Sequence, residues 1–222
     1  MNHHPFRTIL FDLDGTLTDP KVGVVAAIRY AMAKMKRPLA PETNLDWCIG
    51  PPLQDDFAIL LQTDDPALIE QGVVAFREYY ATTGLFENKL YDGIPELLST
   101  LYAQGFRCYV ATAKPTVYAQ QIIAHFGLNG YFVRVYGSEL DGRNADKGEL
   151  IRHILQVEGL SAATTMMVGD RKYDIVGAKE NGVGITAVTY GYGSMDEINA
   201  AQPDFIAHTP PEIGTLLTKH GQ

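Results

Sequence analysis

The chain has 222 residues, 46% of them hydrophobic, which is enough to bury the core of one large domain or of a domain with a small insertion. A formal net charge of −8 argues against a nucleic-acid-binding surface, which needs clustered basic residues. No stretch is apolar over the length of a membrane span, and the first residues lack the pattern of a signal peptide. Cys48 and Cys108 show no metal or redox spacing, which suits a reducing, cytoplasmic location.

An apolar run near the N-terminus ends in two aspartates. Residues 9–11 predict a strand buried on both faces, as in a parallel sheet, and Gly15 ends it. Asp12 and Asp14 therefore lie just beyond the carboxyl end of a strand, where open α/β sheets bind ligands. Two neighbouring buried carboxylates repel each other unless a cation lies between them, and Mg²⁺ prefers such oxygen ligands. The alternative interpretation is a polar turn after the strand.

The segment that follows the aspartates is predicted to be helical. Apolar residues recur at helical spacing over 22–35, 53–61 and 66–84, with no strand pattern between them. We therefore interpret residues 19–85 as an inserted all-helical domain.

From Tyr91 onwards, strand patterns alternate with helix patterns. The predicted strands are 106–111, 131–136, 165–168, 184–189 and 204–207. Such alternation predicts an α/β fold with a doubly wound parallel sheet. We expect residues 1–18 and 86–222 to form this core, with the helical insertion as a lid.

Further polar residues are expected where strands end or helices begin. Thr112 precedes a predicted helix from Pro115, so its hydroxyl and nearby N–H groups can bind an anion. Lys147 begins a helix, where a cation opposes the helix dipole and therefore indicates a nearby anion. Asp170 ends a strand and Asp174 follows one helical turn later, a pattern typical of a cation site. Each feature alone also fits an ordinary helix cap or an exposed lysine.

Taken together and in this order, these features resemble a known family. D-x-D-G-T at 12–16, then Thr112, Lys147 and G-D-x-x-x-D at 169–174 resemble the four motifs of the haloacid dehalogenase (HAD) superfamily of phosphohydrolases. The helical insertion is similar to the family's C1 cap. The resemblance to the family implies a Rossmann-like core. Thr112 is followed by Ala113, where many relatives carry Asn or Ser, and this implies one fewer hydrogen bond to phosphate.

Three segments resemble narrower branches of the family. The segments 167–179 and 188–194 are similar to phosphoglycolate phosphatase-like members, and 49–53 is similar to members described as 5′-nucleotidases. The resemblance therefore implies Mg²⁺-dependent hydrolysis of a small phosphomonoester, either phosphoglycolate or a 5′-nucleotide. The expected partner is thus a small-molecule phosphate ester, with no nucleic-acid polymer and no membrane, and the protein is expected to be a monomer or a homodimer.

The resemblance also implies a role for each aspartate. Asp12 would attack phosphorus and carry an aspartyl-phosphate, while Asp14 would protonate the leaving alcohol and then activate water. Mg²⁺ would be held by Asp12, the backbone carbonyl of Asp14 and Asp170. Asp174 would orient the water ligands of the metal.

Other residues would hold the substrate. Thr112, Lys147 and N–H groups near Ala113 would bind the phosphate, and Thr16 would brace the first loop. The candidates in the cap for reading the rest of the substrate are Arg29, Gly50, Pro51, Pro52 and Gln54.

Two other functions fit the same residues. A phosphosugar mutase has a similar scaffold and the same Asp pair but retains a bisphosphate intermediate, so activation by a sugar bisphosphate would reveal it. A non-catalytic, phosphate-responsive binding protein resembling a receiver domain would also combine acidic residues, Thr and Lys around Mg²⁺. Receiver domains, however, are much shorter and lack a helical insertion after the first strand.

Overall fold

The structure, a computed structural model, describes residues 6–219. The chain divides into two compact units: a sheet unit, Met1–Asp19 with Leu90–Gln222, and a helical unit, Pro20–Lys89. The predicted boundaries fell after residues 18 and 85. The assignment of these units as catalytic core and cap stays a prediction.

Eight strands are described. They are β1 (Thr8–Phe11), β2 (Thr18–Asp19), β3 (Lys89–Leu90), β4 (Arg107–Pro115), β5 (Phe132–Ser138), β6 (Thr165–Gly169), β7 (Gly184–Val188) and β8 (Phe205–Ala207). Six of them form one parallel sheet in the order β5-β4-β1-β6-β7-β8, and β2 pairs with β3. The α/β fold with a parallel sheet is therefore confirmed. Since β8 lies at one edge, the strand predicted over 204–207 is an edge strand.

Nine α-helices connect or flank these strands in the described part of the chain. They are α1 (Lys21–Lys34), α2 (Leu53–Leu61), α3 (Pro66–Tyr79), α4 (Ile94–Ala103), α5 (Thr116–His125), α6 (Lys147–Glu158), α7 (Lys172–Glu180), α8 (Met195–Ala201) and α9 (Pro210–Lys219). The helical unit contains α1 to α3, and α3 is followed by a π-helical turn, Tyr80–Gly84. Across residues 6–219, every helix is too short or too polar to span a lipid bilayer.

The core of the sheet unit lies on both sides of β1. All four residues of β1 are buried, as expected for a strand in the middle of a parallel sheet. On one side, α6, α7 and α8 contribute apolar side chains to a single cluster. The members of that cluster include Leu10, Tyr109, Met167, Ile154, Ile175 and Ile198. Burial of these side chains fixes the register of the strands and so the position of their carboxyl ends.

Two helices of the sheet unit begin at side-chain caps. The Asp146 carboxylate accepts a hydrogen bond from the Glu149 N–H at 2.9 Å, and this cap starts α6 at Lys147. The Ser194 hydroxyl likewise accepts from the Glu197 N–H at 3.1 Å at the start of α8. The Asp146 cap matters because it makes Lys147 the first residue of α6.

β4 differs from its prediction. The predicted strand ended at Ala111 with a helix from Pro115, but β4 continues to Pro115 and α5 begins at Thr116. Pairing with β5 resumes at Pro115 opposite Ser138, after an irregularity that follows Ala111. The prediction was wrong because this tertiary pairing keeps the segment extended. Thr112 consequently lies within a strand and not at a helix start.

A polar cluster joins the end of α6 to β4 and β5. The Glu158 carboxylate accepts hydrogen bonds from the hydroxyls of Tyr136 and Tyr109, at 2.6 and 3.0 Å. Arg107 and Arg134 lie 3.6 and 3.5 Å from the same carboxylate. The hydrogen bond from Tyr136 is the main cause that lowers the pKa of Glu158, and it outweighs the opposing effect of burial.

We expect Glu158→Gln to destabilise the fold by about 1 kcal/mol at pH 7, because it weakens charge-assisted hydrogen bonds. The folded-state pKa lies below the unfolded value of about 4.3, so this stabilisation is present above the unfolded pKa. It is lost as the pH falls through the folded pKa. Urea unfolding over a descending pH series, with Glu180→Gln as control, measures the difference. An equal loss of stability at every pH would contradict it.

Candidate active site

β1 delivers two aspartates to the carboxyl edge of the sheet. The Asp12 N–H donates to the Val168 carbonyl of β6 at 2.9 Å, which fixes Asp12 beside the end of that strand. Gly15 has a φ of +83°, and a Cβ there would lie 2.2 Å from Asp170 Oδ2. Glycine at this position therefore lets the loop after Asp14 turn and pass close to Asp170.

Three aspartates form a buried acidic cluster. One carboxylate oxygen from each of Asp12, Asp170 and Asp174 lies within 4.8 Å of the other two. Burial is the main cause that raises the pKa of Asp170 well above its usual value, and repulsion from Asp12 and Asp174 raises it further. Burial also raises the pKa of Asp174 to about 6. A positive charge nearby would favour the ionised form of Asp170 and Asp174.

Lys147 supplies part of that charge. Its Nζ lies 2.8 Å from Asp12 Oδ1 and 2.8 Å from Asp174 Oδ1, and it also donates to the Ala111 carbonyl. Burial lowers the pKa of Lys147, but attraction to Asp12 and Asp174 outweighs burial and raises the net pKa. Lys147 is therefore a buried cation. It is the first residue of α6, where the helix dipole disfavours positive charge, so its position indicates a nearby anion.

Lys114 is a site residue that sequence reasoning missed. Its Nζ lies 2.8 Å from Asp14 Oδ2, and the two side chains are only 7% and 13% exposed. Burial raises the pKa of Asp14, while Lys114 opposes this effect. A signal was available: Lys114 is two residues from Thr112, and on an extended segment such residues point to the same face.

The segment around Thr112 is held by β5. The buried Thr112 hydroxyl accepts from the Lys114 N–H at 3.2 Å, and the Ala113 carbonyl accepts from Ser138 Oγ at 2.7 Å. A Cβ on Gly137 would lie 2.2 Å from the Lys114 carbonyl, so only glycine fits there. Because the Phe11–Val110 register aligns the two strands, Thr112 lies at the same sheet edge as the aspartates.

Asp170 keeps one oxygen unpaired. α7 is capped at Arg171, whose N–H donates to Asp174 Oδ2 at 3.1 Å, so the interpretation of Asp170 as a helix cap is wrong. The Tyr192 N–H donates to Asp170 Oδ2 at 2.7 Å. Asp170 Oδ1 is buried without a hydrogen-bond partner among the described residues. Burying an unpaired carboxylate oxygen costs free energy unless a ligand that is not part of the polypeptide binds it.

The donor set fits a divalent cation such as Mg²⁺. All its ligand atoms are hard oxygens. Four carboxylates (Asp12, Asp14, Asp170 and Asp174) are matched by two ammonium groups, and one divalent cation would balance the remaining charge. Asp174, which is predicted to orient the water ligands of the metal, lies in the same buried cluster as Asp12 and Asp170, and its role toward the metal stays a prediction.

The order of these residues matches a family model. The model of the haloacid dehalogenase-like hydrolases matches residues 9–188. The chain belongs to this family.

Similar proteins agree with this assignment. The chain is 46% identical over 217 residues to a 5′-nucleotidase of Pseudomonas aeruginosa, with 97% of each chain covered. It is 29% identical over 221 residues to a phosphoglycolate phosphatase of Vibrio parahaemolyticus, with 96% of each covered. The crystal structure of a predicted phosphatase from Clostridium acetobutylicum is similar at a TM-score of 0.91, with 37% identity and 96% and 98% coverage. The prediction of an HAD-type phosphoric monoester hydrolase is confirmed.

The helical unit of this HAD-like hydrolase holds the remaining candidates. The Arg29 guanidinium donates to the backbone carbonyls of Ala40, Pro41 and Thr43, at 2.8 to 3.0 Å, so its donors serve the fold of that unit. Three candidates lie in the turn before α2 and one in its first turn. They are Gly50, Pro51, Pro52 and Gln54, and their role in substrate recognition stays a prediction.

Two tyrosine hydroxyls hold the first loop. Thr16 is fully buried, and its carbonyl accepts from the Tyr190 hydroxyl at 2.9 Å. Its own hydroxyl is buried without a hydrogen-bond partner in the described chain. At the other end of the same loop, Asp19 accepts from the Tyr192 hydroxyl. Tyr190 thus holds the loop at the Thr16 backbone and Tyr192 holds it at the Asp19 side chain, while the bracing role of Thr16 stays a prediction.

Two glycines let the Tyr190–Tyr192 segment pack on the HAD-like site. A Cβ on Gly191 would lie 2.3 Å from the Gly15 carbonyl and 2.4 Å from Asp170 Oδ2. A Cβ on Gly193 would lie 1.9 Å from the Asp170 carbonyl. This close approach is what brings the Tyr192 N–H to Asp170 and leaves Oδ1 of Asp170 unpaired.

We expect Gly191→Ala to weaken divalent-cation binding by about 10- to 100-fold, because the new methyl group displaces Asp170. Titration with Mn²⁺ followed by electron paramagnetic resonance measures the affinity. The matched control is Gly130→Ala, since a Cβ there meets no atom within 4 Å. Equal affinities for the two variants would show that packing around Gly191 does not position Asp170.

Proposed function

We propose that this HAD-like hydrolase removes the phosphate of a 5′-nucleotide in a Mg²⁺-dependent reaction that passes through an aspartyl-phosphate on Asp12. One observation carries the proposal. Asp12 and Asp14 lie side by side at the carboxyl edge of the sheet, each against its own lysine, and Asp12 also belongs to the buried acidic cluster.

Asp12 is the nucleophile in this reaction. Lys147 holds its Oδ1, which leaves the other oxygen to attack phosphorus. The bond from phosphorus to the ester oxygen breaks, and Asp14 gives its proton to the leaving oxygen. Water then attacks the phosphorus of the aspartyl-phosphate and gives a proton to Asp14. This step releases phosphate and restores the Asp12 carboxylate.

The phosphate needs positive charge and hydrogen-bond donors. A bound Mg²⁺, held by Asp12, Asp170 and the Asp14 carbonyl with Asp174 beside it, would supply charge that offsets repulsion between carboxylate and ester. Lys147 contributes the same effect from the protein. The Thr112 oxygen accepts from the Lys114 N–H, so its own proton remains for a phosphate oxygen.

The comparisons favour a nucleotide over phosphoglycolate. The 5′-nucleotidase relative is 46% identical, and the phosphoglycolate phosphatase is 29% identical. The resemblance of residues 49–53 to 5′-nucleotidases supports the same choice. We propose that Gly50, Pro51, Pro52 and Gln54 take part in this choice of substrate.

We expect Asp12→Asn to lower phosphate release by at least about a thousandfold, because it removes the nucleophile. Mg²⁺-dependent release of phosphate from a 5′-nucleotide measures the effect. Acid quenching of the wild-type reaction, run with a nucleotide labelled in its phosphate, should trap the labelled phosphate on the protein. Asp141→Asn is the control, since Asp141 is exposed and paired with Arg143. Undiminished release by Asp12→Asn would refute the mechanism.

A panel of esters tests the substrate. We expect a higher kcat/KM for 5′-nucleotides than for phosphoglycolate or sugar phosphates, and we expect Gln54→Ala to reduce this preference. A preference for phosphoglycolate would move the assignment to that branch. Activation by a sugar bisphosphate would instead indicate a mutase, and a stable phospho-Asp12 without turnover would indicate a phosphate-responsive binding protein.

A further inference from the structure

Each catalytic aspartate has a separate lysine. Lys147 contacts Asp12 Oδ1 and Lys114 contacts Asp14 Oδ2, each at 2.8 Å. The two aspartates are two residues apart and repel each other, so an unheld Asp14 carboxylate would rotate away from Asp12. The motifs that identify the family in this sequence account for Lys147 but give no role to Lys114.

The backbone of Lys114 is firmly held. Its N–H donates to Thr112 Oγ1, and its carbonyl passes so close to Gly137 that a Cβ there would lie 2.2 Å away. Ser138 Oγ holds the carbonyl of the preceding residue, Ala113. A fixed backbone and a side chain only 7% exposed restrict where the ammonium group can lie.

The Asp14 carboxylate has two different oxygens. Oδ2 faces the Lys114 ammonium group, whereas Oδ1 is buried without a hydrogen-bond partner among the described residues. The contact on Oδ2 restricts the rotation of the carboxylate and leaves the other oxygen to exchange a proton. Proton transfer depends on such alignment, and a displacement of about 1 Å can reduce a rate about a hundredfold.

We propose that Lys114 is a positioning residue that orients Asp14 for proton transfer to the leaving oxygen. This inference rests on the proposed role of Asp14 in the phosphatase reaction. The geometry points to an action through Asp14, because the Lys114 ammonium group lies 2.8 Å from Asp14 Oδ2.

The dependence on the leaving group tests this inference. A nucleoside leaves only when it is protonated, whereas 4-nitrophenolate leaves without a proton. For Lys114→Met we expect kcat on a 5′-nucleotide to fall about 10- to 100-fold, and the fall on 4-nitrophenyl phosphate to be about tenfold smaller. Lys114→Arg should recover part of the nucleotide activity. Lys179→Met is the matched control, since Lys179 is exposed and its Nζ donates to the Ala201 carbonyl, and its loss should leave the ratio of the two activities unchanged.

A double substitution gives a second, independent readout. If Lys114 acts through Asp14, Lys114→Met should add less than about a twofold loss in an Asp14→Ala background. Equal losses on both esters, a rise in KM alone, or full additivity with Asp14→Ala would each overturn the inference. Inactivity of the wild type on both esters would overturn the proposed function as well. A different outcome would overturn only the role of Lys114. In that outcome Asp12→Asn loses activity, but Lys114→Met keeps the wild-type ratio of activity on the 5′-nucleotide to activity on 4-nitrophenyl phosphate.

Discussion

The structure depends on how buried negative charge is compensated at one edge of a parallel sheet. Asp12, Asp170 and Asp174 are almost completely buried, and burial raises the pKa of Asp170 and Asp174. Isolated carboxylates in such a place would be protonated and chemically inert. Lys147 lies against Asp12 and Asp174 and opposes the effect of burial on the pKa of Asp174, and a divalent cation fits the charge that remains. The same charges that are costly to bury are the ones that the proposed phosphoryl transfer would use.

The sheet makes this compensation possible because it aligns distant parts of the chain. Asp12 and Lys147 are 135 residues apart in the sequence, but their side chains meet at 2.8 Å. β1 lies between β4 and β6, so the residues that follow all three strands share one edge. The buried apolar cluster under α6, α7 and α8 holds that register, and the Asp146 cap sets where α6 begins. Packing thus sets the distances that the chemistry requires.

Several features of the site come from close backbone approach. Gly15 and Gly191 bring two loops against Asp170, and the Tyr192 N–H takes one of its oxygens. The loops select which oxygen of Asp170 stays unpaired, and hence which atom a cation would meet. At β4, pairing with β5 keeps Thr112 and Lys114 extended. This segment presents a hydroxyl and an ammonium group from the same strand.

The sequence alone determined the strand–helix alternation, the aspartates after β1, Lys147 at a helix start and the family, because periodicity, caps and motif order are local signals. It did not determine that β4 continues to Pro115, that Asp170 is not a helix cap, or that Lys114 pairs with Asp14. These depend on contacts with β5, with the loop after β7 and with β1, which are far away in the sequence. Only the tertiary structure decided them, because a local pattern states what a residue can do, and its neighbours in space decide which of those roles it takes.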